Sequence, residues 1–226
     1  QGQPYAAYSI AQMYRYGEYV TKDNDTAQRY YKQALSGFLK IESDDMANDD
    51  LFYKLGQMFK LGLGTDSDVT KAIEYFKRSA EMNNKNGFFE YGKALLTGEH
   101  IPQDTDSAVK LLEKAVKLKN INSKRFLALE YISGEHLEQD IEKGIALLTE
   151  CADSGDVIAS YRLGKIYLQG EIMPQNLDKA ERYLLLVEDN EYTQYALAKL
   201  YLQEEKYEIQ KAVNYFGRSA DKNHWA

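Results

Sequence analysis

Cysteine is almost absent from this chain of 226 residues, in which Cys151 stands alone. A single cysteine cannot form a disulfide within the chain. Cys151 falls in a slot that other segments fill with small residues, so we predict that it is a buried core residue. Because neither a disulfide framework nor a signal peptide is visible, the sequence favours a cytoplasmic location.

Long apolar runs are also missing. No segment approaches the roughly 20 apolar residues that a membrane-spanning helix needs, so we expect no contact with a membrane. Proline is scarce, with three copies, and several of the 15 glycines fall at regularly spaced turns. Apolar residues still make up 44% of the chain, which is enough to bury a continuous core.

Positive charge is in deficit. The 28 basic residues are outnumbered by 35 acidic ones, which gives a net charge of −7. A protein that grips nucleic acid needs cations against the phosphates, so we expect no direct nucleic-acid partner. A local basic patch remains compatible with this composition.

Catalytic signatures are missing as well. The chain has no H-E-x-x-H, P-loop, G-x-S-x-G or C-x-x-C motif. Of the three histidines, His100 and His136 lie in repeated G-E-H turns, and His224 is near the end of the chain. These two turns could form a metal or pH-sensing pair, but we favour exposed turn residues inherited by duplication. We therefore predict no cofactor, no metal and no enzymatic activity.

What the chain does have is an internal repeat, with residues 50–83 as its clearest copy. Two apolar helical patterns flank a Gly-rich turn, G-L-G-T, which is followed by Asp68 as a candidate N-cap. A small residue marks the first helix of each copy, at intervals of 45, 36, 36, 36 and 34 residues: Ala11, Gly56, Gly92, Ala128, Gly164 and Ala198. A second small residue marks the second helix in step: Ala27, Ala72, Ala108, Gly144, Ala180 and Ala212. Two markers in phase over six copies predict six helix–turn–helix units.

The small residues have a physical reason, since they let the two helices of a unit approach closely. No unit can bury its apolar face alone, so neighbours must stack. We predict one domain over residues 1–226, an excised piece of a longer array. Its units are 4–40, 50–84, 86–120, 122–156, 158–190 and 192–223.

The repeat resembles the Sel-one-like repeat, a relative of the tetratricopeptide repeat. The fifth unit fits that pattern best, through Ala159, Leu163, Gly164, Tyr167, Gly170, Lys179, Ala180 and Tyr183. The resemblance covers essentially the whole chain. It implies an all-α fold, a right-handed α-solenoid (superhelix) of about six units, of a kind found in bacterial and eukaryotic scaffolds and adaptors. The phrase E-Y-T-Q-Y-A-L-A-K-L-Y-L also looks like arrays attached to bacterial mobilisation relaxases, which implies an alternative role as an accessory array of a DNA-mobilisation enzyme.

The candidate binding surface is the face of the first helices that lines the concave side in this superfamily. In most repeats a Leu precedes the small residue of the first helix, and the residue two places before that Leu is usually aromatic. The residue directly after the small residue is often Lys. The predicted partner-binding residues are Tyr53, Phe89, Lys93, Arg125, Tyr161, Lys165, Tyr195 and Lys199. Such a stripe suits a protein or peptide partner, and its lysines favour an acidic one. The alternative is that these rings only pack between neighbouring helices. The oligomeric state stays open.

Overall fold

A computed structural model describes residues 2–221, and every regular element in that range is helical. His224 and the end of the sixth predicted unit, residues 222–223, lie outside the described residues. A short 3-10 helix, Glu204–Lys206, precedes the last helix. The α-helices are α1 (Gly2–Tyr16), α2 (Asn24–Ser43), α3 (Asp49–Leu61), α4 (Val69–Glu81), α5 (Lys85–Thr97), α6 (Thr105–Lys117), α7 (Ile121–Ser133), α8 (Ile141–Asp153), α9 (Val157–Gln169), α10 (Leu177–Leu185), α11 (Glu191–Leu200) and α12 (Ile209–Asp221).

The helices pack as consecutive pairs, from α1 with α2 to α11 with α12. The predicted all-α array of about six helix pairs is thereby confirmed. The chain also divides into two larger compact parts, Gln1–Asn120 and Ile121–Ala226. From here on, unit 1 and unit 2 denote these two parts, and a single helix pair is called a repeat. Three helix pairs belong to each unit. The handedness of the array and its description as one domain stay predictions.

Local signals fix where each helix begins and ends. The Asp68 side chain accepts a hydrogen bond from the Lys71 N–H at 3.0 Å, which confirms it as the N-cap of α4. Asp or Asn plays the same part before most other helices, among them Asp156 before α9. At the other end, α9 stops at Gly170, whose φ of 74° is the left-handed conformation that glycine adopts without strain.

The small-residue slots hold the two helices of a pair in close contact. A Cβ on Gly164 of α9 would stand 2.5 Å from Leu184 Cγ of α10. A Cβ on Gly56 of α3 would likewise stand 2.5 Å from the Phe76 ring of α4. Where the slot is alanine, as at Ala128, the residue is fully buried. The predicted close approach is therefore present in both units.

A second feature recurs at the turn end of the helix pairs, where a ring of the first helix stacks on a ring of the second. Phe59 and Tyr75 lie nearly parallel, with centroids 5.5 Å apart, and Lys71 lies 4.2 Å above the Phe59 ring. Further parallel pairs are Tyr14 with Tyr30, Tyr167 with Tyr183, and Tyr201 with Tyr215. These tyrosines therefore pack the two helices of a pair against each other.

Each unit has its own core of buried apolar residues. Cys151 belongs to the core of unit 2 and is fully buried, as predicted. Burial raises the pKa of its thiol to about 11, so the reactive thiolate is scarce at neutral pH. This cysteine is a packing residue.

Candidate functional site

Four of the five predicted residues of unit 2 lie on two neighbouring first helices, α9 and α11, which contact each other. Lys165 Nζ lies 5.8 Å from the centre of the Tyr161 ring, and Lys199 Nζ lies 5.1 Å from that of Tyr195. The two helices meet where the Tyr161 ring approaches Tyr192, with centroids 6.4 Å apart. We call these five residues the tyrosine–lysine face.

The rings of this face are held on one side and open on the other. Tyr195 packs edge-on against Phe216 of α12 at 5.6 Å, yet 48% of it is exposed. Tyr192 is 54% exposed. Tyr161 is half-buried, and that burial raises the pKa of its hydroxyl, which stays protonated and able to donate a hydrogen bond. The face therefore offers fixed aromatic surface with polar edges.

The sequence prediction missed Tyr192. It lies five places before Leu197, the residue that precedes the small residue Ala198. The predicted aromatic of this repeat, Tyr195, lies two places before Leu197. The counterpart of Tyr192 in the preceding repeat, Ile158, is also apolar and 48% exposed. Comparing this second position between repeats would have found both residues.

Arg125 sits on α7 in unit 2, away from this cluster, and is engaged in a structural contact. Its guanidinium forms an ion pair with the Asp156 carboxylate and donates to Asn122 Oδ1 at 2.8 Å. The same Asp156 accepts from the Ala159 N–H at 2.7 Å and so caps α9. Arg125 thus ties α7 to the start of α9, and its role as a partner-binding anchor stays a prediction.

In unit 1, Tyr53 is half-buried on α3 and turns towards its own helix pair. Its ring lies 5.9 Å from Phe76, and its hydroxyl accepts from Gln57 Nε2 at 2.8 Å. Burial, with smaller contributions from Glu90 and Asp50, raises the pKa of Tyr53 to about 12. Packing therefore uses much of this ring.

The other two predicted residues of unit 1, Phe89 and Lys93, are half-buried on α5. Lys93 lines a small cleft of about 120 Å³, together with Phe76 of α4. In the same cleft Lys60 Nζ and Glu90 Oε2 form an ion pair at 2.7 Å. All three predicted residues of unit 1 are thus half-buried, whereas Tyr195 and Lys199 of unit 2 are exposed.

The two G-E-H turns differ from each other. His100 is exposed, as predicted, but His136 is half-buried with Nδ1 2.9 Å from Glu130 Oε2, which corrects the interpretation of both as exposed turn residues. The reason is that Glu130 lies on α7 where another repeat has Ile166, and a buried carboxylate needs a polar partner.

The described range, residues 2–221, contains no group of three or more His, Cys, Asp or Glu side chains arranged to hold a metal ion. None of its helices combines the length and apolar character needed to cross a membrane.

Comparison with protein families gives a match over most of the chain. The model of the Sel1 repeat matches residues 4–37, 53–84, 89–120, 122–156, 157–186 and 192–224. These six segments follow the six helix pairs. No protein of curated function matches the chain at a significant level.

Solved structures with similar folds include a Sel1 repeat protein from Oxalobacter formigenes, with a TM-score of 0.73 and 23% identity over 97% of this chain and 88% of that one. A Sel1 repeat protein from Klebsiella pneumoniae has a TM-score of 0.54 and 20% identity, over 84% of this chain and 93% of that one. An immunity protein from Pseudomonas aeruginosa has a TM-score of 0.59 and 18% identity, over 98% and 82%. At these identities the likeness concerns the fold alone.

Proposed function

Because the chain belongs to the Sel1 repeat family, we propose that it is a non-enzymatic scaffold whose tyrosine–lysine face binds another protein. Proteins of this family generally mediate protein–protein interactions, and arrays of this fold are typically scaffolds.

The observation that supports this face is the combination of exposed rings and available cations. Tyr192 and Tyr195 are each about half exposed although their neighbours hold them in place. Fixed aromatic rings lose little conformational entropy on binding, and such residues often dominate binding energy. Among residues 2–221, Lys165 and Lys199 form no ion pair. Their charges are free to attract an acidic segment of the partner.

Other lysines of unit 2 show why this face differs from the rest of the surface. Lys179 and Lys211, on α10 and α12, each lie 4.9 Å from the centre of a tyrosine ring. The rings beneath them, Tyr167 and Tyr201, are only 6% and 2% exposed and belong to the core. These second-helix lysines therefore cover packing residues, and Lys211 also forms an ion pair with Glu208 at 2.9 Å. They offer a control with the same change of charge.

Charge reversal tests the proposal. We expect the double variant Lys165→Glu, Lys199→Glu to bind a partner isolated with the wild-type protein at least tenfold more weakly, with a smaller dependence on salt. The control Lys179→Glu, Lys211→Glu makes the same change of charge and should bind as the wild type does. Equal affinities of the two double variants would refute the assignment of the face.

A further inference from the structure

A second candidate site lies in unit 1, at the turn between α1 and α2. A cavity of about 430 Å³ opens there, lined by Arg15, Tyr16, Lys22, Gln28, Tyr31 and Leu61 among others. We call it the Arg15 cavity. None of the residues predicted from the sequence as partner-binding lines it.

Backbone and side-chain hydrogen bonds build its walls. The Asp23 N–H donates to the Tyr14 carbonyl at 2.9 Å, which folds the turn back against the end of α1. The same turn brings Lys22 close to Gly17, since a Cβ added to Gly17 would stand 3.4 Å from the Cβ of Lys22. On the opposite side, Gln28 donates to the Gly62 carbonyl at 3.1 Å and accepts from the Gly64 N–H at 2.7 Å. The cavity is therefore formed before anything binds.

Its charge is positive and uncompensated. Arg15 and Lys22 both line the cavity, and no carboxylate does. Within the described part of the chain, neither cation forms an ion pair. The Arg15 guanidinium lies beside the Tyr31 hydroxyl and 5.8 Å from the centre of the Tyr16 ring. A guanidinium held in this way presents a planar set of donors that suits a carboxylate.

The next repeat contains the counterpart of this cavity, and there a carboxylate is present. Lys60 stands at the position of Arg15, and Phe76 at that of Tyr31, each 45 residues further along the chain. In that smaller cleft Glu90 supplies a carboxylate 2.7 Å from Lys60 Nζ. Glu90 belongs to the repeat that follows Lys60, and its counterpart one repeat earlier, 36 residues before it, is Lys54. The position that could supply an acid to the Arg15 cavity is therefore occupied by a lysine. The counterpart cleft thus holds a carboxylate beside its cation.

We propose that the Arg15 cavity binds the C-terminal carboxylate of a partner peptide whose last residue is apolar. The side chains of Arg15 and Lys22 would bind the carboxylate. Tyr16 and Leu61, which are 62% and 52% exposed, would cover the last side chain. This inference rests on the cavity alone and not on the tyrosine–lysine face, which belongs to the other unit.

The test is a titration of the full ¹⁵N-labelled chain followed by amide chemical shifts, a measurement that detects weak binding. The probe is acetyl-Gly-Gly-Leu with a free carboxylate, compared with the same peptide as its C-terminal amide. The variant is Arg15→Gln, Lys22→Gln. Its matched control is Lys60→Gln, at the counterpart cation that already has Glu90.

We expect saturable shifts for residues around the α1–α2 turn and Leu61, and at least tenfold weaker binding of the amide. The double variant should lose at least tenfold in affinity, whereas Lys60→Gln should bind the acid normally. Lys22→Gln alone, at an exposed position, gives a second reading if the double variant is unstable. Equal binding of acid and amide, or shifts confined to other regions, would overturn the proposal. Preference for acetyl-Glu-amide or for inorganic phosphate over the free-acid peptide would overturn the C-terminal assignment.

Discussion

Replacing Gly164 probes the close contact between α9 and α10 that the repeat depends on. A Cβ at this position would stand 2.5 Å from Leu184 Cγ, 2.6 Å from its Cδ2 and 3.4 Å from the Ala180 carbonyl oxygen. Carbon atoms in contact normally stay about 3.5–4.0 Å apart. Leu184 is fully buried, so it cannot swing into solvent. The helices must separate or the leucine must leave its preferred rotamer.

Two opposing terms set the size of the effect. Overpacking a core costs about 1–3 kcal/mol, whereas Gly→Ala inside a helix gains about 1 kcal/mol. We therefore expect Gly164→Ala to lower the free energy of unfolding by about 1 kcal/mol. Gly164→Leu, which adds a branched side chain to the same place, should lower it by about 2–4 kcal/mol.

Gly217→Ala in α12 is the matched control, because a Cβ there would meet nothing within 4 Å. It should gain up to about 1 kcal/mol from helix propensity alone. Urea unfolding followed by circular dichroism at 222 nm gives the order of midpoints: Gly217→Ala highest, then wild type, Gly164→Ala and Gly164→Leu. A Gly164→Leu midpoint equal to that of the wild type would refute the close-contact argument.

Three further predictions concern other contacts. Gly170 has a φ of 74°, so Gly170→Asn should keep a higher thermal midpoint than Gly170→Val, and the reverse order would contradict the left-handed turn. Arg125→Ala leaves the nearly buried Asp156 carboxylate without its cation and should cost about 3 kcal/mol in urea unfolding, whereas an unchanged midpoint would show that the pair contributes nothing. Burial acts to raise the pKa of Glu181, but hydrogen bonds, above all from Lys206, outweigh it and lower that pKa. Stability from Glu181 is therefore present above the ordinary Glu pKa and lost as the pH falls through the lowered folded value, so Glu181→Gln should flatten the acid limb of the stability curve.

The fold could be predicted well because its signals are local and repeated. Gly56 and Gly164 fall in phase with each other, and a small residue at a helix contact has a direct steric meaning. The N-cap at Asp68 could be predicted for the same reason, since an Asp before a helical pattern acts on its own next turn. Such features need no knowledge of distant residues.

The candidate site was harder, because distant partners decide whether a side chain is available. Arg125 matched the stripe in position, but its cation is taken by Asp156, 31 residues further on. The half-buried state of His136 likewise depends on Glu130, a carboxylate at a position that is apolar in another repeat. Nor does repeat spacing distinguish the half-buried Tyr53 from the exposed Tyr195.

Site-specific photo-crosslinking tests the proposed binding face most directly. A benzoylphenylalanine placed at Tyr195, on the tyrosine–lysine face, is compared with one at Tyr207, which is 62% exposed and lies outside that face. We predict that a partner retained from the source cells crosslinks at Tyr195 and not at Tyr207, and that Lys165→Glu, Lys199→Glu abolishes the crosslink. Crosslinking at Tyr207 alone, or a Tyr195 crosslink that survives the double charge reversal, would contradict it.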